Sequence, residues 1–198
     1  MVRPRLLVIS LAVALVASFG VGCTISRSDS SSDDVIHIGR TDDSGPDATD
    51  DLRPPTIGTN AVVKGKPLPD VAVSTLAGDS VNMRSLTGTP MVINVWGSTC
   101  GPCKQELPAF AAAHLAFGDQ VRFVGIDYLP PSDGEESFAR DKGVQYELLY
   151  DSNGDFVNDV GIAAFPVTLF VDANGTIVRQ SGQLDEATLT EHIQNDLL

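Results

Sequence analysis

The chain has 198 residues, 13 of them basic and 26 acidic, for a formal net charge of −13, and only 6% are aromatic. That length allows one domain with extensions, and the acidity excludes a nucleic-acid binder, which needs a basic face to displace phosphate counterions. Three cysteines are too few for a disulfide-stapled scaffold or for a four-thiolate zinc site.

Residues 1–23 read as an export signal. Arg3 and Arg5 form a basic start, Leu6 to Phe19 is apolar apart from Ser10 and Ser18, and small residues precede Cys23. The apolar run is short for a spanning helix, which needs ~20 residues. Gly20-Val21-Gly22 before Cys23 resembles a bacterial lipobox, with Gly20 where an aliphatic residue is usual. That resemblance implies cleavage, a lipid on Cys23 and a firm membrane anchor, since stable anchoring takes more than one acyl chain. An ordinary signal with an incidental cysteine is the alternative. Using Cys23 for lipid leaves an even pair for an oxidising compartment.

Residues 24–60 carry eight Asp against three Arg, no aromatic residue and the runs Ser28 to Asp34 and Thr41 to Asp51. Such a segment cannot bury enough apolar surface to offset its ordering entropy, so a disordered, self-repelling tether is expected. Its Asp spacing lacks the Gly and terminal Glu of an EF-hand loop.

Residues 61–198 alternate strand and helix signals. Val71 to Leu76 and Ser80 to Leu86 are short extended runs around Ala77-Gly78-Asp79, a hairpin. Met91 to Trp96 is a largely apolar run of buried-strand length, and Val121 to Tyr128 reads as a second buried strand. Between them, Pro102 to Phe117 has helical spacing, with Leu107, Phe110, Ala111, His114 and Leu115 along one face and Pro108 inside. Asp133 is the expected cap of a helix over Glu135 to Lys142, stopped by Gly143. Gln145 to Tyr150 reads as a strand and Asp155 to Val160 as a short helix. Val167 to Val171 and Thr176 to Gln180 flank an Asn174-Gly175 turn. Asp185 to Leu198 closes as a helix with Leu189, Ile193 and Leu197 on one stripe. The order β-β-β-α-β-α-β-α-β-β-α predicts an α/β domain: a mixed sheet, helices on both faces, and an extra N-terminal hairpin.

Cys100-Gly101-Pro102-Cys103 follows the Met91 to Trp96 strand and opens a helix. The amides and dipole of a helix N-terminus favour an anion, so a thiolate at Cys100 is stabilised. Cys103 lies one turn in, within reach of Cys100 and more shielded. Cys100 is thus the candidate nucleophile and Cys103 the resolving thiol. A structural disulfide or half a metal site are the alternatives, and the second lacks partners, because His114 and His192 are far along the chain.

The segment Trp96-Gly-Ser-Thr-Cys100-Gly-Pro-Cys103-Lys104-Gln-Glu106-Leu-Pro108 resembles the active-site segment of the thioredoxin superfamily. It is most similar to the TlpA/ResA-like branch of membrane-tethered, extracytoplasmic thiol-disulfide oxidoreductases. The similarity runs in register over residues 65–198: Pro69-Asp70 and the Gly78 hairpin, Val124 to Asp127, and Ala164-Phe165-Pro166-Val167-Thr168 all have counterparts. The resemblance implies a thioredoxin fold, a cis Pro166 beside Cys100, and substrate binding at Phe165, Pro166 and Trp96, with an extended substrate segment pairing along the Phe165 backbone. It implies that Glu106 tunes the cysteine pair and handles protons. Asn94 stands where ordinary thioredoxins carry a buried Asp, which leaves Glu106 or water as the base for Cys103. Thr99 replaces an aromatic residue common in the family. Lys104 reads as a solvated helix residue.

The activity implied is thiol-disulfide exchange through Cys100 and Cys103, with no cofactor beyond that pair and no metal. The Gly-Pro dipeptide resembles that of thioredoxin, with a potential of about −270 mV against about −120 mV for a strong oxidant, which favours the reductase direction. A membrane thiol electron donor, disulfide- or dithiol-bearing protein substrates such as apocytochrome c, a lipid anchor and a monomeric state complete the expectation. The alternatives are a dithiol oxidase, a non-catalytic binding module and a thiol peroxidase. The last would want Pro and Thr in a PxxxTxxC pattern, where this chain has Ile93 and Gly97.

Overall fold

The computed structural model describes residues 59–198; the export signal, Cys23 and nearly all of the acidic tether lie outside the described residues. Seven strands and four helices follow in the expected order: β1 (Ala72–Ser74), β2 (Ser80–Asn82), β3 (Met91–Trp96), α1 (Gly101–Phe117), β4 (Arg122–Asp127), α2 (Asp133–Asp141), β5 (Glu147–Tyr150), α3 (Asp155–Val160), β6 (Val167–Val171), β7 (Ile177–Ser181) and α4 (Glu186–Asp196). The sheet order is β2-β1-β5-β4-β3-β6-β7.

The two runs read as buried strands become the centre of the sheet because only there are both faces of a strand covered. Every residue of β3 is buried. It pairs in parallel with β4, Trp96 opposite Asp127, and antiparallel with β6, Asn94 opposite Thr168. The β1–β2 hairpin joins the far edge through Ser74 opposite Tyr150. Side chains alternate across the strands into two clusters. Ile93, Val95, Val124, Ile126 and Leu169 pack on one face with Phe156 and Val160 of α3. Val92, Trp96, Phe123, Tyr146 and Phe170 pack on the other with Cys103, Leu107 and Phe110 of α1, Ala139 of α2, and Leu189 and Ile193 of α4. Helices therefore cover both faces.

Four local expectations are corrected. The second run of the hairpin is extended only to Asn82; Met83–Leu86 is a 3-10 turn, capped by the Asn82 side chain on the Arg84 amide, and it drops Met83 and Leu86 into the core. Leu115 leaves the buried stripe of α1 and is 82% exposed, and Ala113 is buried in its place. The cap of α2 is Ser132, not Asp133: its hydroxyl accepts from the Glu135 amide. The domain also begins before residue 61. The Asn60 side chain, assigned to the tether, accepts from the amides of Ala163 and Ala164 and donates to the Ala164 carbonyl, and the Ala61 amide donates to the Gly161 carbonyl.

Candidate active site

The helix α1 begins where the sequence places it because Cys100 is its N-cap. Cys100 Sγ accepts from the Cys103 amide at 3.2 Å, and Pro102 occupies the first turn, where no amide donor is needed. Cys100 and Cys103 are joined as a disulfide, their Cα atoms 5.3 Å apart. Cys103 is fully buried while Cys100 is partly exposed. An attacking thiol from outside thus meets Cys100 first. Lys104 is exposed.

Glu106 is buried on the inner side of α1, one turn beyond Cys103, with 1% of its surface exposed. Its Oε1 accepts from the Asn94 amide at 2.6 Å and its Oε2 from the Leu184 amide at 3.2 Å. Burial disfavours the charged form and raises its pKa to about 7, against the opposing pull of those two donors. Asn94, fixed in β3 with 1% exposure, therefore serves as a hydrogen-bond donor to the acid rather than as an acid itself. Around them Asn94 Oδ1, Trp96 Nε1, Tyr146 OH and Thr168 Oγ1 are buried without a protein partner. Burial pushes the Tyr146 phenol upward, with the Glu106 charge adding to it.

Phe165 and Pro166 are linked by a cis peptide bond. Phe165 is partly buried and packs against the same cluster as Cys100, so the loop before β6 and the entrance of α1 meet at one end of the sheet. Trp96, expected to touch substrate, does not reach the surface: it is fully buried, its ring 6.2 Å from that of Phe138 and nearly parallel to it. Strand alternation turns it inward beneath the motif, and its place is in the core. A partly exposed aromatic is supplied instead by Tyr128. Its ring stacks on Phe165 at 4.1 Å between centroids and its hydroxyl meets Thr99 Oγ1 at 2.9 Å. Where the family commonly has an aromatic beside the first cysteine, this chain has Thr99 holding an aromatic from the residue just after β4.

Sequence reasoning did not find Tyr128, Asn60, or the acids Asp127 and Glu135. Glu135 accepts from the Ser98 amide at 3.1 Å and from the Ser98 hydroxyl, two residues before Cys100. The weak signal present was an Asp closing a strand whose residues Phe123 to Ile126 carry no polar side chain; nothing in the sequence paired it with α2. Among the described residues no group of three or more His, Cys, Asp or Glu is arranged to hold a metal ion, and no helix is long and apolar enough to cross a membrane.

Residues 64–180 match the AhpC/TSA family. The chain belongs to that family. Its curated relatives include the thiol-disulfide oxidoreductase ResA of Geobacillus thermodenitrificans, 25% identical over 137 residues that span 68% of this chain and 79% of the relative. The thioredoxin-like protein YneN of Bacillus subtilis is 26% identical over 120 residues, 59% of this chain and 69% of the relative. Among solved structures, MTB DsbF covers 63% of this chain and 93% of its own, at 25% identity and a TM-score of 0.57. A thioredoxin-family thiol:disulfide interchange protein of Chlorobium tepidum covers 70% and 100%, at 20% identity and a TM-score of 0.58. The fold is the thioredoxin fold, as the motif implies. At Gly97, where the threonine of the peroxidase pattern would stand, a Cβ would come within 2.7 Å of the Tyr128 ring, which would have to shift to admit it.

Proposed function

We propose that this chain is a thiol-disulfide oxidoreductase of the extracytoplasmic space that reduces disulfides in exported proteins. The observation that carries the proposal is the asymmetric pair: Cys100 partly exposed at a helix N-terminus, Cys103 fully buried behind it. In the reduced state the Cys100 thiolate attacks a substrate disulfide, and one substrate thiolate leaves and takes a proton. The Cys103 thiol then loses its proton and attacks Cys100 Sγ. The mixed disulfide breaks, the Cys100–Cys103 bond forms, and the second substrate thiolate leaves. Two electrons pass to the substrate.

Glu106 is the proposed proton acceptor for Cys103. It lies one turn along the same helix, and its raised pKa lets it gain and lose a proton near neutrality. Phe165 and Pro166 are proposed to receive an extended substrate segment, with Tyr128 as the wall beside them. The thioredoxin-like Gly-Pro dipeptide supports the reductive direction. Returning the pair to the dithiol outside the cytoplasm requires a membrane thiol donor. Cys23 is proposed as the lipidated residue, the acidic segment as the spacer that lifts the domain from the membrane, and apocytochrome c as one substrate.

Trapping tests this. A Cys103→Ser variant expressed in place of the wild type should retain partner proteins in reducible adducts on Cys100, identifiable by mass spectrometry. Adducts that persist in a Cys100→Ser, Cys103→Ser double variant, or no adduct at all, would overturn it.

A further inference from the structure

One buried acid has no part in the chemistry just described. Asp127 ends β4 with none of its surface exposed. Its Oδ1 accepts from the Leu129 amide at 2.8 Å, while its Oδ2 has no donor. The carboxyl it faces belongs to Glu135 of α2, within hydrogen-bonding reach. Two carboxylates cannot bond each other, but a carboxylic acid can donate to a carboxylate. Glu135 is the half-buried member and already accepts both donors of Ser98, so it is the natural acceptor of the pair.

We infer that Asp127 carries a proton, donates it in a hydrogen bond to Glu135, and through Glu135 and Ser98 holds the loop that presents Cys100. Asp127 and Glu135 are thus positioning residues, and the inference rests on the reading of Cys100 as the reacting thiol. The charged groups around the pair support the neutral form. Arg140 of α2 is the cation on the facing helix, and its guanidinium is taken up by Glu136 and by the carbonyls of Val144 and Tyr146. Glu136 adds negative charge on the same side. On β5 the Tyr150 hydroxyl is buried and unpartnered, its phenol pushed up to about 12 by burial and by the surrounding acids. The Asp151 carboxylate is engaged with the amides of Phe156 and Val157, and Asp133 is exposed. No counter-charge reaches Asp127. Burial first, and the neighbouring Glu135 second in the same direction, raise its pKa to about 8.

The consequence is a loop whose anchor weakens on the alkaline side. When Asp127 ionises, Glu135 loses one of three donors and faces a like charge, and Ser98 loses its fixed acceptor.

The test uses the full-length, disulfide-bonded chain, in which neither Cys100 nor Cys103 titrates. The Ser98 amide resonance of 15N-labelled protein should shift with an inflection near pH 8. Asp127→Asn, which keeps a donor but cannot ionise, should abolish that inflection and leave the amide at its low-pH position. Glu135→Gln should displace the resonance at every pH. In parallel, the rate of reduction by dithiothreitol, corrected for its thiolate fraction, should fall between pH 7 and pH 9 by about three- to tenfold, the weight of one hydrogen bond. In Asp127→Asn the fall should be smaller than in the wild type, the remainder belonging to Glu106, which titrates at about 7 beside Cys103. A Ser98 resonance flat from pH 6 to 9 in the wild type, or an inflection that survives in Asp127→Asn, overturns the inference. Failure of dithiothreitol to reduce the pair at any pH would instead strike the redox reading of Cys100, on which the inference rests, and would overturn both.

Discussion

On one face of the sheet Ile93, Val95, Val124, Ile126 and Leu169 pack with α3 into an apolar cluster. On the other, Asn94, Trp96, Tyr146 and Thr168 set nitrogen or oxygen atoms into the core without protein partners, and Glu106 is buried among them. Burying a polar atom without a full set of hydrogen bonds costs about 1–3 kcal/mol. A fold does not accumulate such groups on one face by packing alone. That face also carries Cys103 and the helix on which the motif sits. The apolar face supplies stability, and the polar face spends some of it on protonation chemistry.

If that division holds, the largest stability effects belong to the apolar face and leave the thiols alone. Ile93→Ala, at a site with no exposure in the central strand, should cost about 2–5 kcal/mol in denaturant unfolding. The alkylation rate of Cys100 in the reduced protein should match wild type. A changed alkylation rate would mean the two faces are mechanically coupled.

The next effect tests the polar face by its pH dependence. Glu106 has a folded pKa of about 7 against an ordinary 4.5. A raised carboxyl pKa contributes stability that is complete below pH 4.5 and is lost as pH rises through 7. Glu106→Gln, a permanently neutral mimic, should therefore gain on the wild type between pH 4 and pH 8 by roughly 3 kcal/mol. The measurement is the difference between the two proteins' unfolding free energies at the two pH values, taken on the oxidised form so that no thiol titrates. The same variant should slow release of the mixed disulfide. A difference independent of pH would place Glu106 outside the low-dielectric interior and remove the argument for it as a proton acceptor.

The smallest effect concerns the one buried carboxylate that serves the apolar side. Asp151 accepts from the amides of Phe156 and Val157 at 3.1 and 2.9 Å and so ties down the first turn of α3. Its replacement by Ala should cost about 1–2 kcal/mol, as for the loss of a helix cap, with dithiothreitol reduction kinetics unchanged. Asp151 and Asp127 are both buried, yet the first has amide donors on both oxygens and the second on one only. Altered kinetics in Asp151→Ala would erase that distinction.

Much of this was legible before any coordinates. The buried strands read at Met91 to Trp96 and Val121 to Tyr128, the Asn174-Gly175 turn and the closing helix from Asp185 are local features, and chain periodicity with turn chemistry specifies them. The cysteine pair at a strand-to-helix junction is equally local: spacing, Pro102 and the helix entrance lie within four residues, so Cys100 and Cys103 could be assigned from sequence. The 3-10 turn at Met83–Leu86, the exposed Leu115 and the Ser132 cap differed from expectation by one element's edge or face, where tertiary contacts override propensity. What only the tertiary structure decided is which polar side chains are denied water. Glu106 could have been a solvated residue of α1. It is buried because Asn94 of β3 and the Leu184 amide, 12 positions before it and 78 after it in the chain, close over it. Trp96 turns into the core and Tyr128 takes the rim, and Asp127 meets Glu135 through the packing of α2 on the sheet. Burial is set by long-range contacts, and burial, more than residue type, fixes the charge a carboxyl carries.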